Sequence, residues 1–198
     1  MLESAQSKLR RLHSTAHNSA AFKHQAAVTG LRQIRRRDQA VVARARHDDV
    51  EPLNLSEVAR SAAELYEPVA EEKGFVLKIE TEPDVTMRGA RHLLSQALAN
   101  LLDNALKYAR GGEIRIRVFH REGRAVLDVA DRGPGIPEAD RETVFDRFVR
   151  LEPSRSSPGN GLGLSLVRAI VRRHRGTVEI ADNRPGLRVR LEFPRLVV

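Results

Sequence analysis

The stretch Leu94-Ser95-Gln96-Ala97-Leu98-Ala99-Asn100-Leu101-Leu102-Asp103-Asn104-Ala105-Leu106-Lys107-Tyr108 decides how the rest of the 198-residue chain is read. Its apolar residues stand at 94, 97, 98, 101, 102, 105 and 106, the i, i+3, i+4 spacing of a helix that buries one stripe. Gln96, Asn100, Asn104 and Lys107 fall on another line of the same wheel. A face that is merely solvated is richer in Glu and Lys, and asparagine is a poor helix former because its amide competes for the backbone. An amide gives a neutral oxygen to a hard cation and an N–H to a phosphate oxygen. The carboxamide line closing on Lys107 therefore suits Mg²⁺ and a polyphosphate better than it suits plain surface polarity.

Two glycine-bearing turns downstream sharpen this expectation. Val126 to Ala130 alternates as a strand and leads into Asp131-Arg132-Gly133-Pro134-Gly135-Ile136-Pro137, where the glycines allow backbone angles or close approaches that a side chain would block. An Asp at such a strand end can accept a hydrogen bond from an exocyclic amine. Gly159-Asn160-Gly161-Leu162-Gly163-Leu164 opens an apolar helix running through Val171, and backbone N–H groups at a glycine-rich helix start make an anion site. Each turn is weak evidence by itself; their order and spacing are not.

In that order the segments resemble the ATP-binding catalytic domain of sensor histidine kinases, within the wider superfamily of gyrase, Hsp90 and MutL. The resemblance covers roughly residues 53–194. It rests on an N box from Gln96 to Ala105, a G1 box from Asp131 to Ile136, an F box Phe145-Asp146-Arg147-Phe148 and a G2 box from Gly159 to Leu164. The F box and the Lys107-Tyr108 ending favour the histidine kinase branch.

The remaining sequence sets bounds. A 41% hydrophobic composition supports one core, and the absence of Cys rules out disulfides and thiolate metal sites and fits a reducing, cytoplasmic setting. No apolar run of membrane-spanning length and no apolar N-terminal signal segment occurs in the sequence. The net charge of +8 is uneven: residues 1–50 carry ten Lys or Arg and four Asp or Glu. Only Arg35-Arg36-Arg37 is a true cluster and stacking aromatics are scarce, so a solvated helical face is favoured over a nucleic-acid surface.

Within residues 1–50, Leu2, Ala5, Leu9, Leu12 and Ala16, then Ala27, Leu31, Ile34, Val41 and Ala45, step by helical spacing on either side of His17-Asn18-Ser19. This resembles part of the dimerisation and phosphoacceptor hairpin of the family, and implies a homodimer or hetero-oligomer formed through these helices. The family's acceptor motif is a His followed by an acidic residue, a basic residue, Thr or Asn, and Pro. His13, His17, His24 and His47 all fail to match it, so no phosphoacceptor is recognisable. The expectation is a truncated hairpin or a catalytic unit that acts on a separate acceptor.

Residues 51–56 read as a linker, with Ser56 as N-cap of a helix from Glu57 to about Glu72. Strands are expected at 75–80, 85–88, 114–118, 126–130, 177–180 and 187–193, with hairpin turns at 121–124 and 183–186. Together these predict an α/β (α+β) two-layer sandwich over residues 57–198, helices on one face of a mixed, largely antiparallel sheet. The segment of about 137–160, with Pro137, Pro153, Pro158 and Ser154-Arg155-Ser156-Ser157, has little to bury and is the family's ATP lid.

The resemblance implies roles. Asn100 would give its amide oxygen to Mg²⁺; Asn104 and Lys107 would approach the phosphates, and Tyr108 would close the pocket. Asp131 would accept from the adenine 6-amino group, with Gly133, Gly135 and Ile136 shaping the base pocket. Gly159, Asn160, Gly161, Leu162, Gly163 and Leu164 would bind ATP, with Gly161 and Gly163 bringing backbone N–H groups to the phosphates. Arg150 or Arg155 would offset charge on the γ-phosphoryl group, and Phe145 and Phe148 would anchor the lid or simply fill the core. Gln96, Asn100 and Lys107 form the catalytic set, with Gln96 where many relatives carry Glu, which argues against strong hydrolysis. His174-Arg175-Gly176 departs from the His-Gly-Gly common in relatives. The implied activity is transfer of the ATP γ-phosphoryl group to a histidine that feeds a response regulator. The alternative is a nucleotide-binding regulatory module that docks through its basic helical arm.

Overall fold

The computed structural model describes residues 50–109, 111–151 and 161–196. The expected hairpin over residues 1–50, apart from Val50, lies outside the described residues, as do His13, His17, His24, His47, Arg155, Gly159 and Asn160.

Strict alternation along the strands sets the architecture. In β4 (Gly112–Arg121), Ile114, Ile116 and Val118 are buried on one face while Arg115 and Arg117 take the other. Their neighbours in β5 (Arg124–Ala130) and β7 (Leu187–Pro194) continue the apolar face with Ala125, Leu127, Val129, Val189, Leu191 and Phe193. With β2 (Phe75–Thr81) and β6 (Thr177–Asp182) these strands form one five-stranded sheet in the order β2-β4-β5-β7-β6. β2 and β4 run parallel; the other pairs are antiparallel. The apolar face is covered by α1 (Leu55–Glu72), α2 (Arg91–Tyr108) and α3 (Gly163–Arg173), so a single core joins sheet and helices. Each fully buried Leu or Ile there contributes roughly 1.5–3 kcal/mol. The expected mixed-sheet sandwich is the fold observed.

Three expectations need correction. Residues 51–54 are a strand, β1 (Glu51–Asn54), paired antiparallel with β3 (Thr86–Gly89), and not part of a linker. The first helix begins at Leu55, and its N-cap is Asn54, whose side chain accepts from the N–H groups of Ser56 at 2.9 Å and Glu57 at 3.3 Å. Ser56 is buried inside the first turn, its hydroxyl donating to the Glu82 carbonyl at 2.7 Å. The described part of the lid is also less loose than its composition suggests. It holds two short 3₁₀ turns, Glu138–Asp140 and Thr143–Phe145, and buries Val144 and Phe145.

Candidate functional site

Helix α2 carries the site because two of its faces do different work. Leu94, Ala97, Leu98, Leu101, Leu102, Ala105 and Leu106 are buried in the core, which fixes the helix and aims Asn100 and Asn104 sideways. These two half-buried amides meet the start of α3. A methyl group built on Gly163 would lie 3.4 Å from Asn100 Oδ1 and 3.6 Å from Asn104 Nδ2. The Asn100 Nδ2 group donates back to the Gln96 carbonyl at 2.9 Å, which leaves Oδ1 as the atom presented to that junction. Gln96 itself is buried, so the polar line opens only from Asn100 onward.

The start of α3 is uncapped: Leu162 offers no side-chain acceptor, and Ser165 Oγ donates to the Leu162 carbonyl instead of accepting. The first N–H groups of the helix are therefore left for an external acceptor, with the favourable end of the helix dipole behind them. Gly161, at φ +63°, makes the approach possible. Its carbonyl accepts from Phe148 N–H at 3.0 Å, and a Cβ there would come within 2.9 Å of the Phe148 backbone.

At the other end of α2 lies the turn after β5. A Cβ on Gly133 would stand 3.1 Å from Ala109 Cα, so this turn abuts the helix end next to Tyr108. Asp131 is held there by the β6–β7 turn. Its N–H donates to the Leu187 carbonyl at 2.9 Å, and its carbonyl accepts from Asn183 Nδ2 at 2.8 Å. Its Oδ1 accepts from Gly133 N–H at 2.7 Å and Leu187 N–H at 3.3 Å, while Oδ2 takes no bond from the described residues. Burial raises the Asp131 carboxyl above its ordinary pKa, against the pull of those two N–H donors. Gly186, at φ +117°, lets the β6–β7 turn pass so close that any Cβ would overlap the Asp131 carbonyl. Gly135 lies beneath the Gly186 carbonyl, and Ile136 packs against the core while its carbonyl accepts from Arg141 at 3.2 Å.

The remaining expected residues fall in different places. Lys107 is turned toward its neighbour, its ammonium donating to the Tyr108 hydroxyl at 2.7 Å and lying 4.5 Å from the ring centre. Phe145 is buried beneath the Arg168 guanidinium, which also pairs with Asp146 at 2.9 Å, whereas Phe148 is 72% exposed. Leu164 packs at the core edge, and Arg150 is half-buried on the lid. The Arg168 clamp and the Asn183 brace escaped sequence reading because nothing local marks them. His174 escaped as well: it is buried, and its Nε2 accepts from Ala90 N–H at 3.0 Å while Nδ1 donates to the Ile170 carbonyl at 2.7 Å. Its place in a near-match to a His-Gly-Gly turn was the signal available.

Among the described residues, then, one helix joins two chemistries about 12 Å apart, from the rise between Asn100 and Tyr108. One end presents amides and uncapped N–H groups that suit phosphate oxygens and a hard cation. The other presents a braced, buried carboxylate that suits an amine donor.

Known proteins share this fold. Residues 89–197 match the family described as histidine kinase-, DNA gyrase B- and HSP90-like ATPase. The adaptive-response sensory kinase SasA of Crocosphaera subtropica is 38% identical over 135 residues, which cover 67% of this chain and 35% of that protein. The signal transduction histidine-protein kinase/phosphatase MprB of Mycobacterium sp. (strain KMS) is 45% identical over 95 residues, 47% of this chain and 18% of its own length. The chain thus spans about a third or less of these curated relatives. The solved mycobacterial sensor histidine kinase MprB superposes with a TM-score of 0.65 at 31% identity, covering 75% of this chain and 99% of that one. Full-length ShkA, solved in complex with AMPPNP, gives 0.67 at 28% identity over 75% of this chain and 32% of that one. The chain belongs to the histidine kinase-, DNA gyrase B- and HSP90-like ATPases, and its globular part is an ATP-binding catalytic domain of the sensor histidine kinase kind.

Proposed function

We propose that this domain binds Mg-ATP along α2 and transfers the γ-phosphoryl group to a histidine of an acceptor domain, carried by a separate partner or by a further segment, from which a response regulator is charged. The observation that carries this reading is the meeting of Asn100 and Asn104 with the uncapped start of α3, at the opposite end of the helix from Asp131. Asp131 Oδ2 takes the adenine amine, and Gly133, Gly135 and Ile136 bound the base. Tyr108 flanks it. The N–H groups of Gly163, Leu164 and Ser165 hold phosphate oxygens, joined by the Asn104 amide. Asn100 Oδ1 fits a hard cation: it is a neutral oxygen free of the helix backbone and turned toward the phosphate end. When bound, Mg²⁺ supplies charge neutralisation on the transferring group. Lys107 leaves the Tyr108 hydroxyl to reach the phosphates, and Arg150 and Arg155 approach from the lid.

Gln96 lacks a carboxylate and is buried, which favours transfer to a protein acceptor over activation of water. The Phe145–Arg168–Asp146 contact roots the lid, so Phe145 serves as its anchor and Phe148 remains outside. Assembly runs through the segment of residues 1–50, and the domain works in the cytoplasm. No helix among the described residues is long and apolar enough to cross a membrane.

The experiment is incubation of the purified chain with γ-labelled ATP and Mg²⁺, with and without a histidine acceptor domain, alongside nucleotide binding by calorimetry. Acid-labile label on an acceptor is expected, and Asn100→Ala should abolish Mg²⁺-dependent transfer while leaving the thermal midpoint within a few degrees. Unchanged transfer by that variant removes the Mg²⁺ assignment. Tight binding with no transfer to any acceptor leaves a silent nucleotide-binding module, the reading that the unmatched acceptor histidines also allow.

A further inference from the structure

The face of the sheet turned away from the helices carries a feature that nucleotide binding does not use. Beside Ala130 in register stand Arg115 of β4 and Arg188 of β7, and beyond Arg188 stands Ala181 of β6. Their neighbours Ile114, Ile116 and Val189 point into the core, so this row faces outward. The methyl of Ala130 leaves a depression of about 180 Å³ lined by Glu113, Arg115, Arg132, Asn183 and Arg184, with Arg188 beside it in register.

The charges there do not balance. Arg115 is satisfied by Glu113, with Nε–Oε1 at 2.8 Å. Arg184 reaches Asp182 only at 3.7 Å and is 90% exposed. Arg132 lies over Gly112 and shares the Glu113 carboxylate with Arg115 at longer range, and Arg188 has a buried Nε with no hydrogen-bond partner among the described residues. Arg115, Arg132 and Arg184 thus line the depression, with Arg188 beside it, against one lining carboxylate, Glu113, that is already engaged. Solvated arginines on an open face would need no explanation, but a buried guanidinium nitrogen without an acceptor does. Planar guanidinium groups facing a shallow polar hollow suit the several oxygens of a phosphate group.

We propose that this depression is an oxyanion site that takes inorganic phosphate or the phosphate of a small monoester, held by Arg132 and Arg184 over Ala130, with the Arg188 guanidinium at its edge. It is separate from the phosphate end of the nucleotide site, on the opposite face of the sheet. It also touches the adenine end from behind. Arg184 and Asn183 belong to the β6–β7 turn, whose Asn183 amide donates to the Asp131 carbonyl and whose Gly186 carbonyl accepts from Asn183 N–H at 3.0 Å. An anion drawing Arg132 and Arg184 together holds that turn against Asp131, so occupancy tightens adenine binding. This coupling rests on the role proposed for Asp131; the site itself does not.

The test uses the full ¹⁵N-labelled chain saturated with ADP and Mg²⁺, so that the phosphate end of the nucleotide site is filled. Sodium phosphate is titrated against sodium chloride of equal ionic strength while the Nε–H signals of Arg132, Arg184 and Arg188 are followed. A saturable shift with phosphate alone is expected. Arg132→Gln and Arg184→Gln, both at exposed positions, should each weaken it about tenfold, the value of one charge-assisted hydrogen bond. Glu113→Gln should strengthen it. A shift that is linear, matched by chloride or indifferent to both arginine variants overturns the site. Saturation by a glutamate-rich peptide but not by phosphate overturns the assignment to a small oxyanion. Adenosine affinity should rise with phosphate in the wild type and not in Arg184→Gln; a flat response alongside saturated arginine signals overturns the coupling only. If ADP itself fails to bind, the nucleotide reading fails, and the arginine signals still report on the oxyanion.

Discussion

Among the described residues Asp131 accepts both of its side-chain hydrogen bonds at Oδ1, and this asymmetry leaves Oδ2 for the recognition role proposed for it. An acceptor fixed by two backbone N–H groups cannot rotate away from a mismatched base. Asp131→Ala should weaken adenine nucleotides by about 1–3 kcal/mol, the cost of leaving a buried amine unpaired. It should also erase the preference of ATP over GTP in calorimetry. Equal wild-type affinity for the two nucleotides would remove the assignment. A pH dependence follows with a definite sign. Burial raises the Asp131 carboxyl, so the ionised form costs the folded protein stability above that raised pKa, and the cost is relieved as pH falls through it. Binding runs the other way, since only the carboxylate accepts from an amine. Adenosine affinity should therefore decline on acidification earlier than the ordinary Asp value of about 3.9 would give. Affinity that stays flat down to that ordinary value would place the adenine contact elsewhere.

Between elements, the decisive contact is that of α2 with the start of α3. Gly163 has no unusual backbone angle, and an added methyl would meet only the ends of two amides at ordinary contact distance. Gly163→Ala should therefore fold normally, gaining up to about 1 kcal/mol from helix propensity. By filling the space before the helix it should lower ATP affinity at least about tenfold; a destabilised variant, or one that binds ATP as before, contradicts this geometry. The far end of the same helix pair depends on neutral His174. Because burial depresses its pKa, stability is complete above the ordinary imidazole value of about 6.5 and is lost as pH falls toward the depressed one. His174→Gln should flatten that part of the stability profile in urea titrations. These contacts also mark the limit of sequence reading. The periodicity of α2 and the glycine turns were legible because their causes lie within a few residues. Asn54 and Ser56 are equally good caps on paper, and the choice between them is made by Glu82, far along the chain, which takes the Ser56 hydroxyl. The four residues of β1 show no usable alternation and become a strand only by pairing with β3. Phe145 reads equally as lid anchor or core residue until Arg168, from another element, closes over it.

Across the whole molecule, the sheet separates an apolar face that meets the helices from a charged one that does not, and the charged face has its own buried element. Asp128 and Arg190 face each other in register on β5 and β7, joined by two hydrogen bonds of 2.8 Å. They are only 2% and 9% exposed, with the Arg190 guanidinium 5.6 Å from the Phe119 ring centre. Desolvating two charges consumes much of what their attraction returns, so the intact pair adds little net stability, while either charge left alone is expensive. Asp128→Ala should accordingly lose about 3–5 kcal/mol in urea unfolding, most of it the cost of stranding Arg190. Replacing both, as in Asp128→Leu with Arg190→Leu, should recover most of that loss, because the strands and the buried volume remain. Asp128 lies on the same strand as Ala130 and just before Asp131, yet it points away from the helical layer. The folded fraction of each variant should therefore bind ATP with wild-type affinity. An Asp128→Ala protein as stable as the wild type would mean that the pair is open to water in solution. A double variant no better than the single would mean that the charges, and not the packing around them, hold β5 to β7.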